Sequence, residues 1–430
     1  MTLKSPEARA SLKTFACAAL ECVDPEISEL KFERFRLHNG VAFELSNAAL
    51  DAQSAFIRLA VKKLGPKNGH AKVVDKAIWD FVVEIDDESK LSDTAYLNTA
   101  LEQIEAKSSS VCEFFRPCPL IHLPEAIDRI EIGRVAIERA QSRLDEFRKI
   151  NDQFKFGIGN DWTLSIVVAT DEVGIVTKLP PTLWSINLEA ADPLREEEGL
   201  WLTDVALSIL RLAVKRDDLG VMAPTIGKVE PHPFHPHISQ DHSFTVKQEG
   251  GGQLGGMSAP NDYRLTEGAV KTLSDEATQS KIQKVFESKP KSLAERFYQG
   301  CGWLTRGRRS ADRSDRLLYF FTAIESLLSD SDKTSPVIQT IARHAAALLS
   351  EENESRHRIA SDIKKLYGVR SALVHTGSRG AFDIDANSAQ QIAELLFFRV
   401  WCDFDLAQRH NEFSAKLAKA SFGLPVENGG

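Results

Sequence analysis

Several things are scarce in this chain. Its six cysteines (Cys17, Cys22, Cys112, Cys118, Cys301, Cys402) are scattered and include no Cys-x2-Cys pair. That excludes the spacing of a zinc ribbon and leaves reduced thiols of a cytosolic protein as the expectation. No apolar run approaches the roughly 18 residues that cross a bilayer. The first residues do not read as a secretory signal, because the apolar stretch 15–20 is short and acidic residues follow it. A soluble, cytoplasmic protein without a membrane partner is expected. Positive charge is not in excess either. Lys plus Arg number 53 against 61 Asp plus Glu, a net −8, which excludes a globally basic wrapper of nucleic acid.

What is present is an ordinary globular composition, 43% hydrophobic and 27% charged, over 430 residues, enough for two or three domains. The charge is uneven. From Lys291 onward 19 basic residues face 17 acidic ones, +2, so residues 1–290 hold 34 against 44, or −10. An RNA partner therefore belongs to the C-terminal part.

Residues 1–247 read as one α+β domain. A short helix is expected near Ser11–Glu21. Strands are expected in the apolar runs 41–45, 55–61 and 78–85, a helix over 92–107, an extended piece over 111–123, and a strand leading into a helix between 124 and 150. Segments 162–170 and 174–179 pattern as a hairpin about the turn 171–174. Leu200–Lys215 reads as a helix with Trp201, Val205, Ile209 and Leu212 on one face.

Next, His232, His235, His237 and His242 gather four of the 11 histidines. Neutral imidazoles at this density suit a transition metal, but Pro231, Pro233 and Pro236 make a stiff extended loop and no cysteine is near, so a loop without metal is the expectation and the histidines are the alternative metal candidates. The glycine-rich stretch 250–256 lacks the Gly-Lys-Ser/Thr ending of a phosphate-binding loop and reads as a linker. Residues 248–290 are thus assigned to a linker and connecting helix, 291–410 to an all-α bundle, and 411–430 to a tail.

In the bundle Leu293, Phe297, Cys301 and Leu304 form a first stripe. A basic turn, Arg306, Arg308 and Arg309 with Arg313 nearby, follows it. Ser310 or Asp312 caps a second helix carrying Leu317, Phe320, Phe321, Ile324 and Leu328 inward. Ser335-Pro336 opens a third, residues from 350 a fourth, and Asp385 caps a fifth with Ile392, Leu396, Val400 and Phe404 inward. The chain's central stretch is 362–377, at the end of the fourth helix. Ile359, Ile363, Leu366 and Leu373 line one face, and at about 100° per residue Arg370 falls among them. A guanidinium there needs a partner, a cleft or a seam. His375 follows in the last turn before Gly377. An always-charged donor and a proton-transfer group are the pair used in phosphodiester chemistry.

Leu366-Tyr367-x-x-Arg370-Ser371-x-Leu373-Val374-His375 resembles the R-x4-6-H signature of HEPN domains, particularly their Apea-like branch. The likeness covers the last third of the chain. It implies an HEPN-type helical bundle that pairs as a homodimer, with a cofactor-free, metal-independent ribonuclease site in the groove. Arg370 would hold the scissile phosphate and His375 would be acid or base. Glu325, in a segment like the family's Ala-x-Glu-x-Leu, would support Arg370, with Tyr367 and Ser371 beside it. Ser371 stands where the superfamily often has Asn, Asp or His. The basic residues Arg306, Arg308, Arg309 and Arg313 would contact RNA. By the same likeness the chain is an anti-phage, abortive-infection effector whose N-terminal part receives an unknown trigger. The alternative is a catalytically silent dimerisation or RNA-binding scaffold.

Overall fold

The computed structural model describes residues 3–22, 35–118, 121–143, 154–158, 164–168, 175–179, 182–214, 244–246, 252–254, 263–310, 312–329, 337–377 and 380–422. The chain divides into two compact units. Met1–Phe114 with Asn187–Leu200 forms one; Phe115–Ile186 with Trp201–Gly430 forms the other. The α+β body expected over 1–247 is therefore split, because the chain leaves the first unit and re-enters it at residue 187.

The first unit is mostly helical: α1 (Pro6–Leu20), α2 (Asn47–Asn68), α3 (Ala71–Val83) and α4 (Thr94–Ser108), with a hairpin of β1 (Phe35–His38) and β2 (Val41–Glu44). The strands expected at 55–61 and 78–85 are helical, α2 and α3. Short apolar runs do not distinguish a strand from a buried helix. The helical period becomes visible only with the flanks included: Val74, Ala77, Ile78, Phe81 and Val82 are all buried. Trp79 is fully buried between Phe15 and Phe43, at ring separations of 5.1 and 4.8 Å. Truncating such a side chain costs about 3–5 kcal/mol. Above it the β1–β2 hairpin places Arg36 over the indole at 4.7 Å and His38 Nε2 2.7 Å from the Asp80 carboxylate, which Lys107 also binds at 2.9 Å.

A four-stranded sheet has the order β3 (Ser110–Pro117), β10 (Thr182–Ala190), β6 (Val135–Arg139), β5 (Arg129–Ile132), with β6 and β5 wholly in the second unit. β6 pairs antiparallel with both neighbours, Ile137 facing Ile130 and Trp184. Of the strand leading into a helix expected between 124 and 150, the strand is present as β5 and β6 and a 3-10 turn, Ala140–Arg143, follows it; residues 144–150 lie outside the described residues. Sheet burial of Val135, Ala136 and Ile137 outweighs the local helical pattern. The expected hairpin is formed by β8 (Leu164–Val168) and β9 (Ile175–Leu179), with β7 (Phe154–Ile158) added to β8. Its turn at 171–174 lies outside the described residues, as do His232, His235, His237, His242 and the Ser335-Pro336 cap. β4 (Ile121–His122) pairs with β13 (Tyr263–Arg264), and β11 (Phe244–Val246) with β12 (Gly252–Leu254). α5 (Arg195–Ala213) forms the helix predicted over 200–215, starting five residues earlier and ending at Ala213.

Every described element from Glu267 on is a helix: α6 (Glu267–Ser274), α7 (Glu276–Phe286), α8 (Leu293–Arg309), α9 (Arg313–Leu328), α10 (Val337–Leu349), α11 (Asn353–Thr376), α12 (Asp383–Asp403) and α13 (His410–Ala420). An N-terminal region of strands and helices followed by an all-helical C-terminal region is thus the architecture. The predicted stripes on α8 and α9 are buried throughout, and Asp312 caps α9 through the Ser314 and Asp315 amides. Asp385 is not the cap of α12; it is three residues inside and accepts from the Phe382 N–H. The tail assigned from 411 begins as a helix. Phe413, Leu417 and Ala420, at helical spacing, are fully buried.

Candidate active site

α11 is long because nothing in residues 353–376 breaks it and Arg356 ties its start to the end of α13 through the Ala420 carbonyl, 2.9 Å away. It stops at Gly377, which takes φ 64°, a left-handed conformation that glycine adopts without a Cβ penalty. Ile363 and Leu366 are buried and Ile359 and Leu373 half-buried, so the predicted apolar face is the packed one.

Arg370 lies on that face. Its Nη2 donates to Glu325 Oε2 at 3.1 Å, joining α11 to α9, and its guanidinium sits 5.7 Å from the Tyr367 ring centre. Tyr367 in turn packs against Phe321 at 5.7 Å. Both charged side chains keep roughly a fifth of their surface open, 23% for Arg370 and 22% for Glu325. Burial pushes the Glu325 carboxyl up, and the Arg370 charge draws it partly back. Arg370 Nε is buried and has no hydrogen-bond partner among the described residues. An unmade bond at a buried donor costs about 1–3 kcal/mol, so an oxyanion at this edge would gain more than solvation alone offers.

His375 is exposed, and among the described residues its ring makes no hydrogen bond. α11 remains α-helical through Thr376. Five residues of regular helix separate His375 from Arg370 by about 7.5 Å along the axis and about 140° around it. One protomer therefore does not aim both groups at one point. Ser371 is half-buried beside Arg370. Val374, Phe382 and Ile384 are exposed, and Ile384, Leu395 and Phe398 continue along one side of α12, Phe398 at 48% and Ile384 at 72%.

The expected basic turn is the last turn of α8, and its arginines point three ways. Arg308 is buried and bonds Glu394 on α12 at 2.6 Å. Arg306, at 3.4 Å, and Arg309 both meet Asp204 on α5. Arg313, in the first turn of α9, is exposed. Arg308 is thus a packing residue. The two carboxylates that organise this cluster, Asp204 and Glu394, were missed by sequence reasoning. Glu394 alone left a trace, standing one helical turn after Gln390, which binds both Glu394 and Arg316. Burial raises the Asp204 carboxyl, while Arg309, Arg306 and Arg116 pull it down.

Among the described residues no group of three or more His, Cys, Asp or Glu is placed to hold a metal ion, and no helix is long and apolar enough to cross a membrane. In comparisons with known proteins, no family model, no curated protein and no solved structure matches this chain.

Proposed function

We propose that this chain is an HEPN-type, metal-independent endoribonuclease that works as a homodimer, with Arg370 of one protomer and His375 of the other meeting at a shared groove. One observation carries the reading: a guanidinium in the apolar seam of α11 has a buried, unpartnered Nε, and an exposed imidazole follows five residues later on the same helix. The roughly 140° between them suits two chains better than one. The exposed apolar row on α12, Ile384, Leu395 and Phe398, supplies a face for the second copy.

In this mechanism Arg370 binds a non-bridging phosphate oxygen through the donors Glu325 leaves unused and stabilises the charge that grows as the phosphorus becomes five-coordinate. The ribose 2′-oxygen attacks phosphorus while its proton passes to a base. The bond to the 5′-oxygen breaks and that oxygen is protonated, leaving a 2′,3′-cyclic phosphate and a 5′-hydroxyl. His375 serves one of the two proton transfers. By the HEPN resemblance the biological role is anti-phage, abortive-infection defence, and the N-terminal part holds the site in check until triggered.

The test is induced expression of wild type beside Arg370→Ala and His375→Ala, with total RNA run on a gel and end groups assayed. Growth arrest with discrete fragments bearing cyclic phosphates, absent from both variants, is the expected result. The Arg370–Glu325 ion pair also suits a silent scaffold, and intact RNA from purified dimer under every condition, phage challenge included, would favour that reading.

A further inference from the structure

A second face of the C-terminal unit concentrates aromatic and cationic groups. The Arg306 guanidinium lies 4.7 Å from the Trp201 ring centre and 5.2 Å from that of Trp303. Trp303 stacks on Tyr319 with centroids 5.6 Å apart and planes 20° from parallel. All four side chains are half-buried, where two indoles and a phenol of a folded core would be covered. Beneath them Arg306 and Arg309 share the single buried carboxylate Asp204, two cations against one anion. Tyr319 precedes Glu325 by six residues on α9, about 9 Å along the axis and about 120° around it, so a strand bound here reaches the Arg370 pair by passing round α9.

We infer that this face binds single-stranded RNA. Bases stack on the Trp303–Tyr319 side, and the surplus charge of Arg306 and Arg309 draws the phosphates. Every base has a π-face, so the platform is sequence-tolerant and selects an unpaired strand over a duplex, whose bases are already stacked. The choice of RNA over a protein surface rests on the ribonuclease reading.

The experiment uses the full chain carrying His375→Ala, so that bound RNA is not consumed, and a fluorescein-labelled oligouridylate of about 12 nucleotides. Fluorescence anisotropy reads its affinity for the parent and for Trp303→Ala, Trp303→Phe and Tyr319→Ala, with circular dichroism melts confirming folding. Loss of about tenfold in Trp303→Ala, recovery to within about twofold in Trp303→Phe, and no change for an RNA duplex are expected. Parent-like binding by both alanine variants overturns the platform, as does an equal loss for strand and duplex. The two readings separate cleanly. If wild type cleaves RNA and the alanine variants bind normally, the platform alone falls. If Trp303 governs binding but no chain carrying His375 cleaves, the platform stands without the nuclease.

Discussion

Arg370 and Glu325, 45 residues apart in sequence, meet across α11 and α9 in a single-point ion pair, with Nη2 occupied and Nε left without a partner among the described residues. The pair orients the guanidinium while leaving donors for a ligand. Substituting Glu325→Gln preserves shape and removes the charge. On the ribonuclease reading, cleavage should fall about tenfold to a hundredfold through misplacement of Arg370, with the fold retained. The measurement is kcat/KM on a model RNA.

The same pair sets an acid limb. Burial holds the Glu325 carboxyl above its ordinary 4.5, despite Arg370. In the folded protein it therefore takes up its proton at a higher pH than in the unfolded chain. As pH falls through that raised value the ion pair is lost, while proton binding favours the folded state. Activity should decline at a pH where the melting temperature does not, and Glu325→Gln should shift the decline. A pH–rate profile beside a pH–Tm profile reads both.

On the same ribonuclease reading, His375→Ala and Arg370→Ala should abolish cleavage equally but differ in stability. His375 is exposed and makes no hydrogen bond among the described residues, so its removal should stay within about 0.5 kcal/mol. Removing Arg370 strands a half-buried carboxylate and should cost about 1–3 kcal/mol. Urea unfolding of both variants distinguishes them.

Asp204 pairs with two arginines from a buried position. Asp204→Asn leaves those cations opposed by no carboxylate there and should destabilise the C-terminal unit by about 3–5 kcal/mol. Calorimetry of wild type and variant measures it.

In the N-terminal unit, burial raises the Asp80 carboxyl, but the hydrogen bonds from Lys107 and His38 and their charges outweigh it and hold the group below 3.8. Its stabilising contribution is complete above 3.8 and is lost as pH falls through the lowered value. Acid unfolding should be less steep in Asp80→Asn, which should also be less stable at neutral pH; circular dichroism followed from pH 5 downward, about one unit at a time, tests this.

Local pattern by itself determined much of the C-terminal half. Stripes at three-and-four spacing placed α8, α9, α11 and α12, Gly377 stopped α11, and counting residues put Arg370 on the packed side, because a helix's faces follow from a fixed turn per residue. The tertiary structure decided which charges meet. Nothing near Arg306 and Arg309 announces Asp204, about a hundred residues earlier, and nothing near Arg308 announces Glu394. It also decided the helical state of 55–61 and 78–83 and the division of the first 247 residues between two units. Short apolar segments take the geometry that buries them best, and that is set by partners distant in the chain.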